Sequence, residues 1–424
     1  MKEWVPYKLK EITTKIGSGS TPRGGKEAYQ QTGITLVRSL NVYDFVFELE
    51  NLAFINETQA KKLNGVTIEK NDILLNITGA SVGRCTIIPE NLLPARVNQH
   101  VSIIRCNKEN ADAKFLLYCI NSASYKDLLM SIADSGATRE ALTKDDIEKF
   151  QVLLPPLPIQ HFIASILSAY DDLIEVNNHR IKLLEETTRE LFKEWFVRMR
   201  FPGNEKVKFK KGIPTDWRIE PIGKVIDYHI GGGWGNDKQD NQFSTPGYVI
   251  RGTDIPGVRN GSANQDVYRF HKSSNMKSRE LIEGDIVFET AGGSEGQPLG
   301  RTCYITQEML DGYGDKVMAA SFCKQIRTTS IPSLYLYYFL NYLYDTGMIE
   351  TYQVQSTGIS NYQFEPFLKF QQIILPKDEL MQSFHDKAIL MQKQIAILGQ
   401  QNNQLRQIRD RLLTRLIGGK LEVK

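Results

Sequence analysis

The sequence predicts an α+β fold in which two similar mixed α/β globular domains alternate with two long helices that form an antiparallel coiled coil. Three observations predict this fold: the chain repeats itself, each copy begins with short strand-like runs, and each copy ends with a heptad pattern. A chain of 424 residues is also too long for one core of ordinary size, so two or more domains are expected.

The internal repeat consists of matched segments that occur in the same order in both halves of the chain. Trp4 and Trp217, for example, are each followed five residues later by an aliphatic residue. The matched segments are 4–9 with 217–222, 17–19 with 231–233, 36–38 with 249–251, 69–74 with 278–287, 83–85 with 300–302, 116–121 with 336–341 and 152–155 with 373–376. Any one match could arise by chance, but their shared order indicates a tandem duplication.

Each copy is predicted to fold as a globular domain followed by a helix. Short apolar or alternating runs split by Gly, Pro and Asn indicate strands, and one helical pattern interrupts them in each copy. A Pro, Gly and Lys-rich stretch indicates a linker between the copies. The predicted boundaries are 1–154 for the first globular domain, 155–200 for the first spacer helix, 201–216 for the linker, 217–376 for the second globular domain and 377–424 for the second spacer helix.

The two helical regions carry apolar residues spaced mostly by three and four, which is typical of a coiled coil. Asn177 and Asn402 fall on the predicted seam, where a polar residue costs stability and fixes the register. The alternative is that both are ordinary bundle helices within a single core. The predicted seam residues are Ile163, Ile166, Tyr170, Leu173, Asn177, Ile181, Leu184, Thr188, Leu191 and Trp195, and Phe384, Ala388, Met391, Ile395, Leu398, Asn402, Leu405, Ile408, Leu412 and Leu416.

Composition and charge exclude few functions. Lys+Arg total 52 against 49 for Asp+Glu, so charge alone does not indicate a nucleic-acid partner, and a DNA-binding face would have to be a local basic concentration. The most apolar stretch, 334–344, is too short to span a bilayer, and the N-terminus does not resemble a signal peptide. Five cysteines without a CxxC pair indicate buried free thiols, and a cytoplasmic location is expected.

Sequence motifs for catalysis and metal binding are missing. There is no GxxxxGK[ST] loop for ATP hydrolysis, no Asn-Pro-Pro-Tyr or Asp-Pro-Pro-Tyr of adenine methyltransferases, and no Pro-Asp dipeptide of the usual nuclease metal site. The Gly231–Gly233 run lacks the spacing of a dinucleotide fold, and the six histidines lack zinc-ligand spacing. The sequence therefore favours a non-catalytic binding protein.

Four motifs resemble the specificity subunits of type I restriction–modification enzymes. They are GSGSTP at 17–22, DILLNITGASVGR at 72–84, VNQHVSIIR at 97–105 and LPPLPIQ at 154–160, which begins the first long helix. The resemblance extends over the whole chain, including the duplication. The second copy departs from the pattern, because PKDELMQ at 376–382 is a weaker form of the junction and ETAGGS at 289–294 replaces the Asn-Ile-Thr-Gly loop.

This resemblance implies a DNA-binding role. Each globular domain would be a target-recognition domain that reads one half of a split DNA target, and the spacer helices would set the gap. The helices would also dock two methyltransferase (modification) subunits, joined by two restriction (motor-nuclease) subunits. Those partners would use S-adenosylmethionine, ATP and magnesium, with no cofactor in this chain. Phe192, Phe196 and Leu413, which lie outside the predicted seam, are expected to form the docking surface.

The candidate DNA contacts are polar and basic residues in predicted loops. Arg can bind guanine O6 and N7 with two hydrogen bonds, Asn or Gln can do the same for adenine, and Lys or Ser can hold phosphates. The candidates in the first domain are Ser20, Thr21, Arg23, Lys26, Arg38, Ser39, Asn41, Ser81, Arg84, Asn98, Gln99, Thr138 and Arg139. Those in the second domain are Lys238, Arg251, Thr253, Asp254, Gly293, Ser294, Arg301, Lys324, Ser360 and Asn361.

Each of these residues also has a purely structural interpretation. Arg38 and Arg251 could pair with Asp44 and Asp254, Arg84 and Arg301 could follow simple turns, and residues 98–100 could cap a strand. The linker lysines at 206, 208, 210 and 211 could be solvated or could contact phosphates.

Two other functions are compatible with the same pattern. A coiled-coil scaffold whose heads bind peptides or sugars would show no salt-dependent affinity for DNA, whereas a DNA-binding protein must release counterions. A stand-alone nuclease would cleave plasmid with magnesium alone.

Overall fold

The computed structural model describes residues 4–22, 24–134, 141–292, 297–355 and 360–419. The chain divides into two compact units, Met1–Leu173 with Leu405–Lys424, and Ile174–Gln404. Each unit contains one globular domain and a part of each long helix. We call the globular domains the first head (residues 4–154) and the second head (residues 217–376).

The secondary structure follows the duplication. The strands of the first head are β1 (Val5–Lys8), β2 (Thr13–Ser18), β3 (Ile34–Val37), β4 (Ala53–Ile55), β5 (Thr67–Ile68), β6 (Ile73–Asn76), β7 (Cys85–Ile87), β8 (Ala95–Val97), β9 (Val101–Cys106) and β10 (Gln151–Leu154). The linker contains β11 (Phe209–Lys210) and β12 (Ile213–Pro214). The strands of the second head are β13 (Arg218–Pro221), β14 (Tyr228–Gly231), β15 (Thr245–Ile250), β16 (Tyr268–His271), β17 (Ile286–Glu289), β18 (Ala291–Gly292), β19 (Thr302–Tyr304), β20 (Val317–Ala319), β21 (Cys323–Arg327), β22 (Gln353–Gln355), β23 (Ser360–Tyr362) and β24 (Gln372–Leu375).

Two helices are much longer than the others. The short helices are α1 (Leu9–Ile12), α2 (Glu57–Lys62), α3 (Ala113–Asn121), α4 (Ala123–Asp134) and α5 (Lys144–Lys149) in the first head, and α7 (Ile255–Arg259), α8 (Ser273–Arg279), α9 (Gln307–Tyr313), α10 (Ser333–Asp345) and α11 (Phe364–Phe370) in the second. The long ones are α6 (Leu157–Phe192), which continues as a π-helical turn over Lys193–Val197, and α12 (Asp378–Ile417).

The two heads share one sheet topology. The first head has an antiparallel sheet in the order β2-β9-β6-β7, and the second head has the matching order β14-β21-β17-β19. A second sheet runs β4-β3-β8-β5 in the first head and β16-β15-β20 in the second. In each of these sheets one matching pair of strands is parallel, β3 with β8 and β15 with β20. The order of the strands therefore confirms the tandem duplication that the sequence predicts.

The first strand of each head pairs with the strand that leads into the long helix. β1 is antiparallel to β10, with Val5 opposite Leu154, and β13 is antiparallel to β24, with Arg218 opposite Leu375. Each head is thus closed by its own two chain ends just before α6 or α12 begins.

A buried aspartate–arginine pair recurs at the same place in both heads. Asp72 accepts hydrogen bonds from Arg105 Nε (2.8 Å) and Nη2 (2.7 Å), and Asp285 accepts from Arg327 Nε (2.7 Å) and Nη2 (2.9 Å). Both aspartate side chains are fully buried, and each also accepts a backbone N–H three residues earlier in the chain. Because a buried carboxylate needs a partner, this pair fixes the turn before β6 and its counterpart before β17.

The long helices pair as predicted, and the structure shows antiparallel pairing within the second unit. Asn177 Nδ2 donates to Asn402 Oδ1 (3.0 Å), and Thr188 Oγ1 contacts Met391 Sδ (2.8 Å). The second contact lies later in α6 but earlier in α12 than the first, so the two helices run in opposite directions. Ile181 packs with Ile395 and Leu398 between these two contacts. In the first unit, Asp171 of α6 pairs with Arg409 of α12. The predicted α+β fold with its coiled coil is confirmed.

The predicted seam was wrong at three positions. Leu173 is 52% exposed, whereas Ile174 is buried, and Leu167 is fully buried where Ile166 is only half-buried. In α12, Ile408 is exposed and Arg409 is buried. In α6 the positions 163, 167, 174 and 177 are buried and 170 is half-buried, and together these positions step by four and three. The sequence offers an apolar residue at both neighbouring positions, so periodicity alone did not fix the phase.

The predicted docking surface is also wrong, because its residues lie inside the cores. Phe192 and Phe196 pack against the second head, where the Phe196 and Tyr335 rings meet edge to face with centroids 4.8 Å apart. Leu413 belongs to the core of the first head, together with Leu416 and Ile417 of α12. Each head therefore needs the start of its own long helix and the end of the other to complete its core.

The five cysteines, all within the described residues, are buried and unpaired, as the sequence predicts. Burial raises the pKa of the Cys85, Cys106 and Cys303 thiols to about 12. Within the part of the chain that the structure describes, no helix combines the length and the apolar character needed to cross a membrane.

The asparagine pair on the seam gives a testable prediction. Replacing Asn402 by Leu leaves the buried Asn177 amide without its partner, so we expect the free energy of unfolding to fall by about 1–3 kcal/mol in urea titrations. The double variant Asn177→Leu/Asn402→Leu removes both polar groups and should recover most of the loss. Equal losses in the single and double variants would show that the amide pair is not the cause.

Candidate nucleic-acid interface

The candidate residues of the first head meet where several strands end. Hydrogen bonds join the segments: Gly19 N–H donates to the Asn98 carbonyl (3.0 Å), Ile77 N–H to the His100 carbonyl (3.0 Å), and the Asn76 amide to the Ser39 carbonyl (2.9 Å). We call the residues 18–22, 38–41, 77–84 and 98–100 the first loop cluster. Segments that are far apart in the sequence thus form one polar surface.

A glycine allows two of these segments to approach closely in each head. A Cβ on Gly19 would lie 1.8 Å from the Val97 carbonyl oxygen, and a Cβ on Gly232 would lie 2.1 Å from that of Ala319. Val97 and Ala319 are the last residues of the matching strands β8 and β20. The glycine-spaced turns of the repeat are therefore explained by backbone contact.

The first loop cluster contains accessible and inaccessible candidates. Ser20 and Gln99 are exposed, and Thr21, Arg38, Ser39, Ser81 and Arg84 are half-buried. Asn41 and Asn98 are buried and bonded within the head: Asn41 accepts from Arg38 N–H (3.1 Å) and Asn98 from His100 N–H (3.0 Å). The prediction that these two amides contact DNA is corrected, because they hold the loops instead.

Both arginines of the first loop cluster lie against aromatic rings. The Arg38 guanidinium is 5.2 Å from the Tyr29 ring centroid and donates through Nη2 to the Asn51 carbonyl, and the Arg84 guanidinium is 4.7 Å from the ring of Tyr43. The alternative pairing of Arg38 with Asp44 is not formed. Asp44 instead accepts from Lys126 Nζ (2.7 Å).

The matching surface of the second head contains a pocket of about 700 Å³. We call the residues 231–234, 251–254, 289–292, 301 and 320–322 the second loop cluster. The pocket walls combine charged, polar and aromatic side chains, among them Trp234, Arg251, Thr253, Glu289, Arg301 and Phe322. Phe322 is 58% exposed and Trp234 41% exposed, so two aromatic rings border the opening.

Each arginine of this pocket is held by a carboxylate through two hydrogen bonds. Arg251 donates from Nε and Nη2 to Asp254 (both 2.8 Å), and Arg301 donates from Nε (2.8 Å) and Nη2 (2.6 Å) to Glu289. Asp254 and Glu289 are buried. The pairing of Arg251 with Asp254 is thus confirmed, and the prediction that Asp254 contacts DNA directly is corrected.

The ionisation of the Asp254 carboxyl follows from its partners. Burial alone would raise its pKa, but hydrogen bonds from the Arg251 side chain and backbone and from Asn264 outweigh burial, and the pKa is lowered. The hydrogen bond to Glu289 raises the pKa of Arg301 in the same way. Hydrogen bonding to Asp254 likewise raises the pKa of Arg251, so both arginines remain charged and the Asp254 carboxyl remains ionised.

The other candidates of the second head lie around this cluster. Lys238 is exposed in the connection between β14 and β15, and Lys324 Nζ lies 4.7 Å from the Phe364 ring centroid. Ser360 and Asn361 belong to β23, which pairs with β18 beside the pocket. The linker lysines are exposed. The candidates Arg23, Thr138, Arg139, Gly293 and Ser294 lie outside the described residues, as does the side chain of Lys26.

The sequence analysis did not identify the aromatic residues of the loop clusters or the acid that binds Arg301. Tyr43, Trp234, Phe322 and Glu289 are on no candidate list, yet the structure places each beside a candidate arginine or at the pocket. The repeat contained a signal for Phe322, since it occupies the position of His100 between the matched strands. In the described segments, no group of three or more His, Cys, Asp and Glu side chains is placed to hold a metal ion.

The structure defines the class of the protein as a tandem duplication, with two heads of matching topology, two long paired helices and a polar loop cluster on each head. Residues 1–186 match the family model of the type I restriction modification DNA specificity domain. The chain is 24% identical to the type I restriction enzyme MjaIX specificity subunit of Methanocaldococcus jannaschii, over 100% of this chain and 94% of that relative. Over 46% of this chain and 41% of the relative, it is 27% identical to the HindI specificity subunit of Haemophilus influenzae.

A solved structure shows the same fold. The S subunit of a type I restriction-modification system from M. genitalium superimposes with a TM-score of 0.57 at 14% identity, covering 97% of this chain and 96% of that one. The chain is thus similar to type I restriction–modification specificity subunits, in sequence over its whole length and in fold.

The contact between Gly252 and Glu289 gives a prediction for the second loop cluster. A Cβ on Gly252 would lie 2.6 Å from Glu289 Oε1, and Arg301 holds that carboxylate in place. We expect Gly252→Ala to lower the free energy of unfolding by about 1–3 kcal/mol, measured by urea titration. Gly231→Ala is the matched control in the same head, because nothing lies within 4 Å of its Cβ. Equal effects of the two variants would contradict the proposed contact.

Proposed function

We propose that this chain reads a bipartite DNA target, with one half-site bound by each head. The observation that supports this most strongly is the loop cluster at equivalent strand ends of two heads with the same topology. Because the heads are related by duplication, the two half-sites would be read in inverted orientation. The spacer helices would fix the gap between them, as protein symmetry fixes half-site spacing in other duplicated DNA-binding proteins.

The side chains of the clusters suit base reading in the major groove, where all four base pairs can be distinguished. Arginine binds guanine, glutamine such as Gln99 can bind adenine, and exposed serine and threonine can contact either bases or phosphates. The net charge of +3 means that this chain alone provides little long-range attraction to DNA. Partner subunits would then contribute part of the affinity.

The catalytic steps belong to partners in this proposal. Two methyltransferase (modification) subunits would bind S-adenosylmethionine and modify an adenine in each half-site, which must leave the base stack to be reached. Two restriction (motor-nuclease) subunits would use ATP and magnesium. This chain would hold the DNA in register for both.

The partner surface proposed here differs from the one predicted from sequence. In the second unit, Val176 and Leu183 of α6 are about half exposed and lie seven residues apart, and Leu390 and Ile397 of α12 have the same spacing. Residues seven apart lie on one face of a helix, so these pairs form apolar stripes outside the seam. Exposed apolar stripes of this kind fit contact with another protein, and we assign them to the modification subunit.

Methylation sequencing tests the proposed function. We expect host DNA to carry a split motif with modified adenines on opposite strands when this chain and its modification subunit are both produced, and no such motif when either is missing. Absence of a motif despite co-purification of the two chains would contradict DNA reading. Failure to co-purify as well would favour the scaffold alternative, and cleavage of plasmid by this chain with magnesium alone would favour the nuclease.

A further inference from the structure

The two heads differ chemically at one matched position. In the second head, Asp254 follows Arg251 by three residues, and in the first head Asn41 follows Arg38 by the same distance. Both buried side chains accept the backbone N–H of their arginine, at 2.9 Å for Asp254 and 3.1 Å for Asn41. Only Asp254 can also accept two charged hydrogen bonds from the guanidinium, because the Asn41 amide donates to the Glu48 and Glu50 carbonyls instead.

The pairing with Asp254 determines which edge of Arg251 is available. A guanidinium has five N–H donors, and the carboxylate takes the one on Nε and one of the two on Nη2. Nη1 has no hydrogen-bond partner among the described residues, and Arg251 lines the pocket. Its end, formed by Nη1 and the second Nη2 hydrogen, can therefore donate two parallel hydrogen bonds.

Several contacts fix this geometry before any ligand binds. Asp254 accepts a further hydrogen bond from Asn264 Nδ2 (2.9 Å), so the carboxylate itself cannot rotate freely. Gly252, the next residue after Arg251, lies against the carboxylate of Glu289, which Arg301 holds. A side chain held in this way loses little rotational freedom when a ligand binds. Its hydrogen-bond donors also keep fixed directions, so they favour ligands whose acceptors match those directions.

The charge of the pocket argues against a phosphate ligand. Arg251 and Arg301 are each neutralised by a buried carboxylate, so the four charged side chains sum to zero. A phosphate would gain little from such a site and would be repelled by the two acids. A neutral group with two adjacent acceptors fits better, and guanine presents O6 and N7 in that arrangement. Adenine would place an amino donor against one of the arginine donors.

We propose that Arg251, oriented by Asp254, reads a guanine in the half-site bound by the second head, and that Asp254 is the positioning residue for this contact. This inference rests on the proposed function. The first head reads its half-site without an arginine oriented by a carboxylate. It has Asn41 at the matched position, and its arginines lie against the rings of Tyr29 and Tyr43.

The experiment is selection of bound duplexes from a randomised DNA pool, with the full-length chain co-produced with its modification subunit. The wild type should recover a split motif with a guanine at one fixed position of one half-site. Arg251→Ala should remove the preference at that position. Asp254→Asn should lower the discrimination between guanine and adenine there at least about fivefold, and should leave the other half-site unchanged.

A matched control is available in the first head. Asn41→Asp introduces the acid at the equivalent position and should leave the half-site of the second head unchanged. Discrimination is measured as a ratio of sequences bound by the same sample, so it does not depend on the folded fraction of a variant.

The outcomes separate this inference from the proposed function. Unchanged base preferences at every position in Asp254→Asn would overturn the inference. So would an equal loss of affinity for all sequences with a smaller salt dependence, which would indicate a phosphate contact. If the wild type recovers no motif at all, the proposed function fails, and the inference fails with it.

Discussion

The pairing of α6 with α12 is the interaction on which both heads depend. Within the first unit, the core contains Ile163 and Leu167 of α6 together with Leu416 and Ile417 of α12. Within the second unit, the core contains Trp195 from the end of α6 and Phe384 from the start of α12. Neither head has a complete core without a segment of the helix that follows the other copy. The core of each head is therefore built from its own copy of the repeat together with a helix segment of the other copy.

The same constraint explains why the two heads can diverge in their loops. The two heads keep the same sheet framework, meaning the strand order and the buried ion pair beside it. That pair is Asp72–Arg105 in the first head and Asp285–Arg327 in the second. The residues at the strand ends lie outside these pairs, and the matched position there is Asn41 in one head and Asp254 in the other. A constant frame with variable strand ends is what a protein needs to read two different sequences with one fold.

Much of this structure could be predicted from local patterns. The duplication is visible in matched segments, and the heptads predict the pairing and the position of Asn177 on the seam. The phase in the first half of α6 could not be read, because Ile166 and Leu167 are both apolar, as are Leu173 and Ile174. The burial of Phe192 and Leu413 was equally hidden, since it depends on a head that packs against the helix ends.

The candidate site was predicted only in part for a similar reason. Arg251 and Arg301 could be chosen from the sequence because arginine suits base reading. The pairing of Arg251 with Asp254, three residues further on, could also be proposed from the sequence. The Arg301–Glu289 pair could not, because it depends on how the ends of β17 and β19 lie side by side. Asn41 and Asn98 were wrongly predicted to contact DNA. Their buried amides form hydrogen bonds within the loops instead, as polar loop residues often do. Residue type indicated the chemistry, and burial decided which residues are accessible to a ligand.

The spacer role of the helices is best tested by the gap in the DNA target after both spacer helices are lengthened by one heptad. Copies of residues 174–180 and 398–404 would be inserted before Ile174 and after Gln404, where the chain passes from one compact unit to the other. A heptad adds about 10 Å of helix, so methylation sequencing should show the gap lengthened by up to about three base pairs. Both half-sequences should be unchanged. An unchanged gap, or altered half-sequences, would contradict the proposal that the paired helices set the gap between the two half-sites.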